Sequence, residues 1–124
     1  MRSYPFSFKT IPVLIVDNDP ILSDSFQSLL EDAGFFVVTA KTGSEALRKA
    51  EVVRFKLAIV NPQLNDICCE ELSRRLKATI HGISVIILTL NPADRERMEE
   101  ADATEKKTAL IGLLRATYKV NGGV

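Results

Sequence analysis

The chain of 124 residues has no surplus charge, since 16 basic residues cancel 16 acidic ones. No basic cluster gives it the electrostatic footprint of a nucleic-acid binder. No apolar stretch approaches the roughly 18 uncharged residues of a membrane span, and the start, MRSYPFSFKT, lacks the unbroken apolar segment of a secretory signal. These absences point to a cytoplasmic protein with neither membrane nor nucleic acid among its partners. No glycine-rich phosphate loop follows any apolar run, which argues against a nucleotide-binding enzyme. The single histidine, His81, sits beside Gly82 without a visible partner and reads as an exposed loop residue. The two cysteines, Cys68 and Cys69, are adjacent, and neighbouring α-carbons about 3.8 Å apart fall below the usual disulfide range. Two reduced apolar side chains at a helix start are favoured over a redox-sensing pair.

The length suits one domain. Residues 1–10 show no period and read as a flexible leader, 11–120 as the domain, and 121–124 as a tail. Residues 13–16 form a short apolar run typical of a strand covered on both faces. Asp19 and Pro20 then supply an N-cap and a proline start, and Leu22, Phe26, Leu29, Leu30 and Ala33 recur at helical spacing up to Gly34. The unit repeats, with a strand over 35–40 and a capping-box pair at Thr42 and Glu45. A short helix follows, with Ala46, Leu47, Ala50 and Val53 on its apolar face. A third strand covers 57–60, followed by a helix bearing Leu72 and Leu76, and a fourth strand covers 83–90. Such alternation predicts parallel strands joined by right-handed helical crossovers, an open α/β sheet with helices on both faces.

After Asn91 the pattern weakens. Pro92 to Ala103 is largely polar, and its charge run from Asp94 to Glu100 reads as a solvated helix face. Helical spacing returns from Ala109 to Tyr118. Between them ADATEKK contains no run able to form a fifth strand, which is therefore expected to be short, missing or rearranged.

In parallel sheets ligands bind beyond the carboxyl ends of the strands. Here those ends carry Asp17, Asn18 and Asp19 after the first strand, Asn61 after the third and Thr89 near the end of the fourth. Each could be a loop or capping residue alone; together they mark a candidate site.

With these segments in place, "VLIVDNDPILSDSFQSLLEDAGFFVVTAKTGSEAL", "LAIVNPQLNDICCEEL" and "SVIILTLNPADRERMEEADA", the chain resembles the receiver domain of two-component response regulators over about residues 11–102. The resemblance implies a doubly wound, flavodoxin-like (CheY-like) sheet. It implies a pair of acids after the first strand that help hold Mg²⁺, and a phosphoacceptor aspartate ending the third strand. A Thr or Ser ending the fourth and a lysine after the fifth would contact the phosphate. Asp17 matches the first acid, Asn18 stands at the second, and Asn61 occupies the phosphoacceptor position. Thr89 matches the phosphate contact, and Lys106 and Lys107 are the candidate lysines.

An amide lacks the anionic nucleophile that attacks phosphorus, so Asn61 should not be phosphorylated. Exchanging two of three carboxylates for amides leaves Asp17 as the remaining metal ligand, and Mg²⁺ binding is expected to be weak or absent. The same exchange relieves carboxylate repulsion, of order 4 kcal/mol at about 4 Å for an effective dielectric near 20. Asp66 could be a substitute phosphoacceptor but is expected to cap the helix that follows it. The expected function is that of an atypical stand-alone receiver, a non-enzymatic interaction module that binds a histidine kinase or another response regulator. The alternative is a receiver phosphorylated on a non-standard aspartate, Asp66 or Asp17. An uncovered fourth strand would be a sheet-edge hazard, so a homodimer formed by rearrangement beyond Asn91 is also expected.

Overall fold

The computed structural model describes residues 11–87. The leader, the segments beyond Asn91, the fifth-strand question and the tail lie outside the described residues. Strands and helices alternate as β1 (Pro12–Val16), α1 (Pro20–Asp32), β2 (Phe36–Ala40), α2 (Gly43–Ala50), β3 (Leu57–Val60), α3 (Cys69–Thr79) and β4 (Ser84–Ile87). All described strand pairs are parallel, in the order β2-β1-β3-β4. This is the open α/β arrangement that the alternation predicts.

β1 is an interior strand because its sequence is apolar towards both faces. Side chains alternate sides along a strand, so Val13 and Ile15 join Leu22, Phe26, Leu29 and Leu30 of α1 in one cluster. Leu14 and Val16 join Ala46 and Ala50 of α2, and Leu72 and Leu76 of α3, in the other. These four β1 side chains are at most 1% exposed, and full burial of each stabilises the fold by about 1.5–3 kcal/mol.

The ends of α1 follow from local chemistry. Asp19 accepts from the Ile21 N–H at 3.0 Å, with Pro20 at the first helical position. At the other end the Gly34 N–H donates to the Glu31 carbonyl and the Phe35 N–H to the Leu30 carbonyl, both at 3.0 Å. That is the Schellman pair of bonds, and Gly34 takes the φ of 99° it needs. Because the Phe35 N–H is committed to this stop, β2 begins one residue later than the sequence predicts.

α2 closes at Ala50, earlier than its apolar spacing suggests. Val53 still packs against the core, from the turn beyond, where its N–H reaches the Lys49 carbonyl at 3.0 Å. The cysteines divide as a helix start requires: Cys68 is an exposed free thiol at the α3 N-cap, and Cys69 is a buried one. Burial, followed by neighbouring Glu70, pushes the Cys69 thiol pKa up. His81 is exposed in the turn with Gly82 before β4.

Candidate functional site

Register brings the central pair together. Val16 of β1 lies opposite Val60 of β3, and the Asn61 N–H donates to the Val16 carbonyl at 2.9 Å. The residues just past these two strand ends are therefore neighbours. Asn61 Nδ2 donates to Asp17 Oδ1 at 2.9 Å, and Asn61 Oδ1 accepts from the Gln63 N–H at 2.7 Å. Reversing the amide would set oxygen against carboxylate and NH₂ against N–H, so the partners fix its orientation. Asp17 is only 8% exposed, and its Oδ1 also accepts from the Asp19 N–H at 2.9 Å. Both are charge-assisted bonds, the stronger class.

Asn18 is exposed and serves a different purpose. Its Nδ2 donates to the Gln63 carbonyl at 3.4 Å, linking the loop after β1 to the loop after β3. Thr89, Lys106 and Lys107 lie outside the described residues, so the part of the site that the structure brings together is Asp17, Asn61 and the Asn18 link.

The fit of this donor set to Mg²⁺ can be judged from its chemistry. Hard divalent cations take carboxylate and water oxygens. Here one carboxylate faces Asn61, and the oxygen nearest the amide already accepts two N–H groups. The Asn61 NH₂ presents hydrogens, which repel a cation. Among the described residues no three His, Cys, Asp or Glu side chains gather as a metal cluster. The residues present do not fit the ion that the resemblance implies.

Asp66 corrects a sequence expectation. Its carboxylate caps α2, which precedes it, instead of α3, which follows. Oδ1 accepts from the Gly43 N–H at 3.0 Å and Oδ2 from the Ser44 N–H at 2.9 Å, while the α3 N-cap, Cys68, makes no side-chain capping bond. Thr42 Oγ1 takes the Glu45 N–H at 3.0 Å and the Thr42 carbonyl takes the Ala46 N–H at 3.0 Å. Every donor in the first turn of α2 thus has an acceptor. The Ser44 N–H, then that of Gly43, hold the Asp66 carboxyl below its usual pKa. Glu45 reaches back to the Lys41 N–H at 2.8 Å, one residue beyond the Thr42 N–H that the reciprocal capping-box bond would use.

Gly43 makes this docking possible. A Cβ there would lie 2.1 Å from Ile67 Cγ2, so a glycine is needed for the loop after β3 to approach α2. The sequence does hold a trace of this contact: a glycine at the first helical position exposes its N–H to an incoming carboxylate. Local spacing gives no hint that the carboxylate comes from 23 residues downstream.

Comparison with known proteins bears on this geometry. Residues 13–108 match the family model described as the response regulator receiver domain. The chain is 33% identical over 99 residues to the gliding motility regulatory protein of Myxococcus xanthus, a match covering 77% of this chain and 13% of that protein. It is 34% identical over 92 residues to the probable transcriptional regulator ycf29 of Pyropia yezoensis, covering 73% and 41%. It is 27% identical over 88 residues to the probable transcriptional regulatory protein TcrX of Mycobacterium tuberculosis, covering 71% and 38%. The chain thus spans about two fifths or less of the length of these curated relatives. Among solved structures, a CheY-like receiver domain protein from Methanospirillum hungatei superposes with a TM-score of 0.61 at 22% identity, covering 90% of this chain and 99% of that one. The chemotaxis protein CheY4 of Vibrio cholerae gives 0.62 at 19% identity, covering 84% and 98%. At such identities the likeness is one of fold.

Proposed function

The chain belongs to the response regulator receiver domain family, and from that premise we propose that it is an atypical receiver working without aspartyl phosphorylation, as a protein-interaction module of two-component signalling. The observation that carries this proposal is the Asn61 Nδ2 to Asp17 Oδ1 bond of 2.9 Å. An amide at the phosphoacceptor position offers no anionic nucleophile, and its NH₂ satisfies the carboxylate that would otherwise call for a cation. Magnesium binding is accordingly weak or absent, and the domain acts by binding rather than by turnover. Its partners in the cytoplasm are a histidine kinase or another response regulator, and a second copy of the chain through the region beyond Asn91.

The competing reading, phosphorylation of Asp66 or Asp17, is disfavoured by what their oxygens already accept. Both Asp66 oxygens hold the start of α2, and Asp17 Oδ1 holds two N–H groups. Treatment with acetyl phosphate and Mg²⁺ followed by intact mass measurement separates the two readings. The proposal expects no gain, and a stable added phosphoryl group would overturn it. Capture of partners from native lysate by the wild-type protein and by Asn61→Asp should give the same set; a set that changes would show that the pocket chemistry governs binding. Light scattering at high micromolar concentration should report a dimer, and a monomer would remove that part of the proposal.

A further inference from the structure

Asn61 is one hydrolysis away from a carboxylate, because replacing its NH₂ by an oxygen anion would put an aspartate beside Asp17. The ordinary spontaneous route from asparagine to aspartate uses the backbone. The nitrogen of the next residue loses its proton and attacks Cγ, the bond from Cγ to the side-chain nitrogen breaks with release of ammonia, and water opens the imide to aspartate or isoaspartate. Asn61 is followed by Pro62, whose ring nitrogen has no hydrogen to give up and so cannot form the neutral imide. What remains is direct attack of water on Cγ, a slower process. The fold also restrains a second reaction, in which Nδ2 attacks the Asn61 backbone carbonyl and releases the prolyl amine with chain cleavage. Nδ2 is instead held by Asp17 Oδ1 at 2.9 Å, and the other side-chain atom by the Gln63 N–H at 2.7 Å.

We infer that Pro62 is a protecting residue that keeps Asn61 an amide, so that ageing of the protein does not regenerate an acidic residue at the phosphoacceptor position. The biological weight of this protection rests on the phosphorylation-independent function proposed above; the protection itself does not. The chain carries its own control. Asn121 is followed by Gly122, whose N–H is the least hindered of any residue for imide formation.

The test is incubation of the full chain in mildly alkaline buffer, folded and in guanidinium chloride, followed by peptide mapping for aspartate and isoaspartate. In guanidinium, wild-type Asn121 should convert while Asn61 stays an amide, although the fold no longer shields it. Pro62→Gly should bring Asn61 conversion in guanidinium to a rate comparable with that of Asn121, whether or not the variant folds. Aspartate or isoaspartate at position 61 of the wild type at the Asn121 rate would overturn the inference, as would a Pro62→Gly variant with no acceleration. Cleavage before Pro62 in the folded protein would overturn the restraint assigned to the Asp17 bond. Phosphorylation by acetyl phosphate, in contrast, would sink the proposed function and leave this result standing.

Discussion

Asp17 and Asp66 both accept two N–H groups near the strand ends, and they do so in opposite settings. Asp17 is nearly buried and takes both donors on one oxygen, from the Asn61 side chain and the Asp19 backbone. Asp66 is exposed and spreads two backbone donors over its two oxygens, at the start of a helix 22 and 23 residues earlier. The buried carboxylate thus depends on a neutral neighbour for its stability, while the exposed one is occupied in joining a loop to a helix. What an aspartate can do is set by what its oxygens already hold more than by its exposure.

Removing the buried member should have the largest effect. Asp17→Ala leaves the Asn61 NH₂ and the Asp19 N–H without their acceptor, and is expected to lower stability by about 3 kcal/mol, read from urea unfolding. A loss as small as that of an exposed residue would break the contrast. Asn61→Asp should cost about 2 kcal/mol at neutral pH, since it sets two carboxylates face to face with solvent relieving part of the Coulomb term. The sign of its pH dependence is definite. Repulsion by the neighbouring carboxylate raises the folded pKa of the carboxyl introduced at position 61 above its unfolded value of about 3.9, so the cost is full above the raised value and vanishes below the unfolded one. Stability relative to wild type should therefore recover on acidification, as thermal unfolding across pH would show.

The Asp66 side of the contrast can be tested with smaller perturbations. Gly43→Ala must displace Ile67, a stiff β-branched side chain, and is expected to lower stability by about 1.5 kcal/mol, within the usual cost of overpacking. A helix-propensity gain without loss would show that the approach is looser than 2.1 Å implies. Asp66→Ala removes a cap, with an expected cost of about 1 kcal/mol and faster hydrogen exchange at the Gly43 and Ser44 amides. Because the folded pKa of Asp66 is depressed below its ordinary 3.8, its contribution is present above that value and lost as pH falls through the folded pKa. The wild-type and variant stability curves should converge at strongly acidic pH.

The sheet and its central pair were legible because they rest on short-range patterns. The doubly apolar run of β1, the Asp19–Pro20 start and the Gly34 stop are each readable within a few residues. Parallel pairing then puts residues 17 and 61 at one rim by geometry alone. The destination of Asp66 was not legible, since an acid just before a helix satisfies the local capping rule for that helix. The rule lost to a contact across two crossovers, made possible by a glycine on another element. The end of α2 was misplaced for a related reason: Val53 keeps the helical spacing while the backbone has already turned.

The 44-residue separation of Asp17 and Asn61 makes their bond a gauge of assembly. A one-place slip of β3 along β1 would turn its side chains to the opposite face and move the amide out of reach of the carboxylate. A native-state resonance for the Asn61 side-chain amide would accordingly certify that the two strands have locked in the correct frame, and protein misfolded by such a slip would be missing that signal.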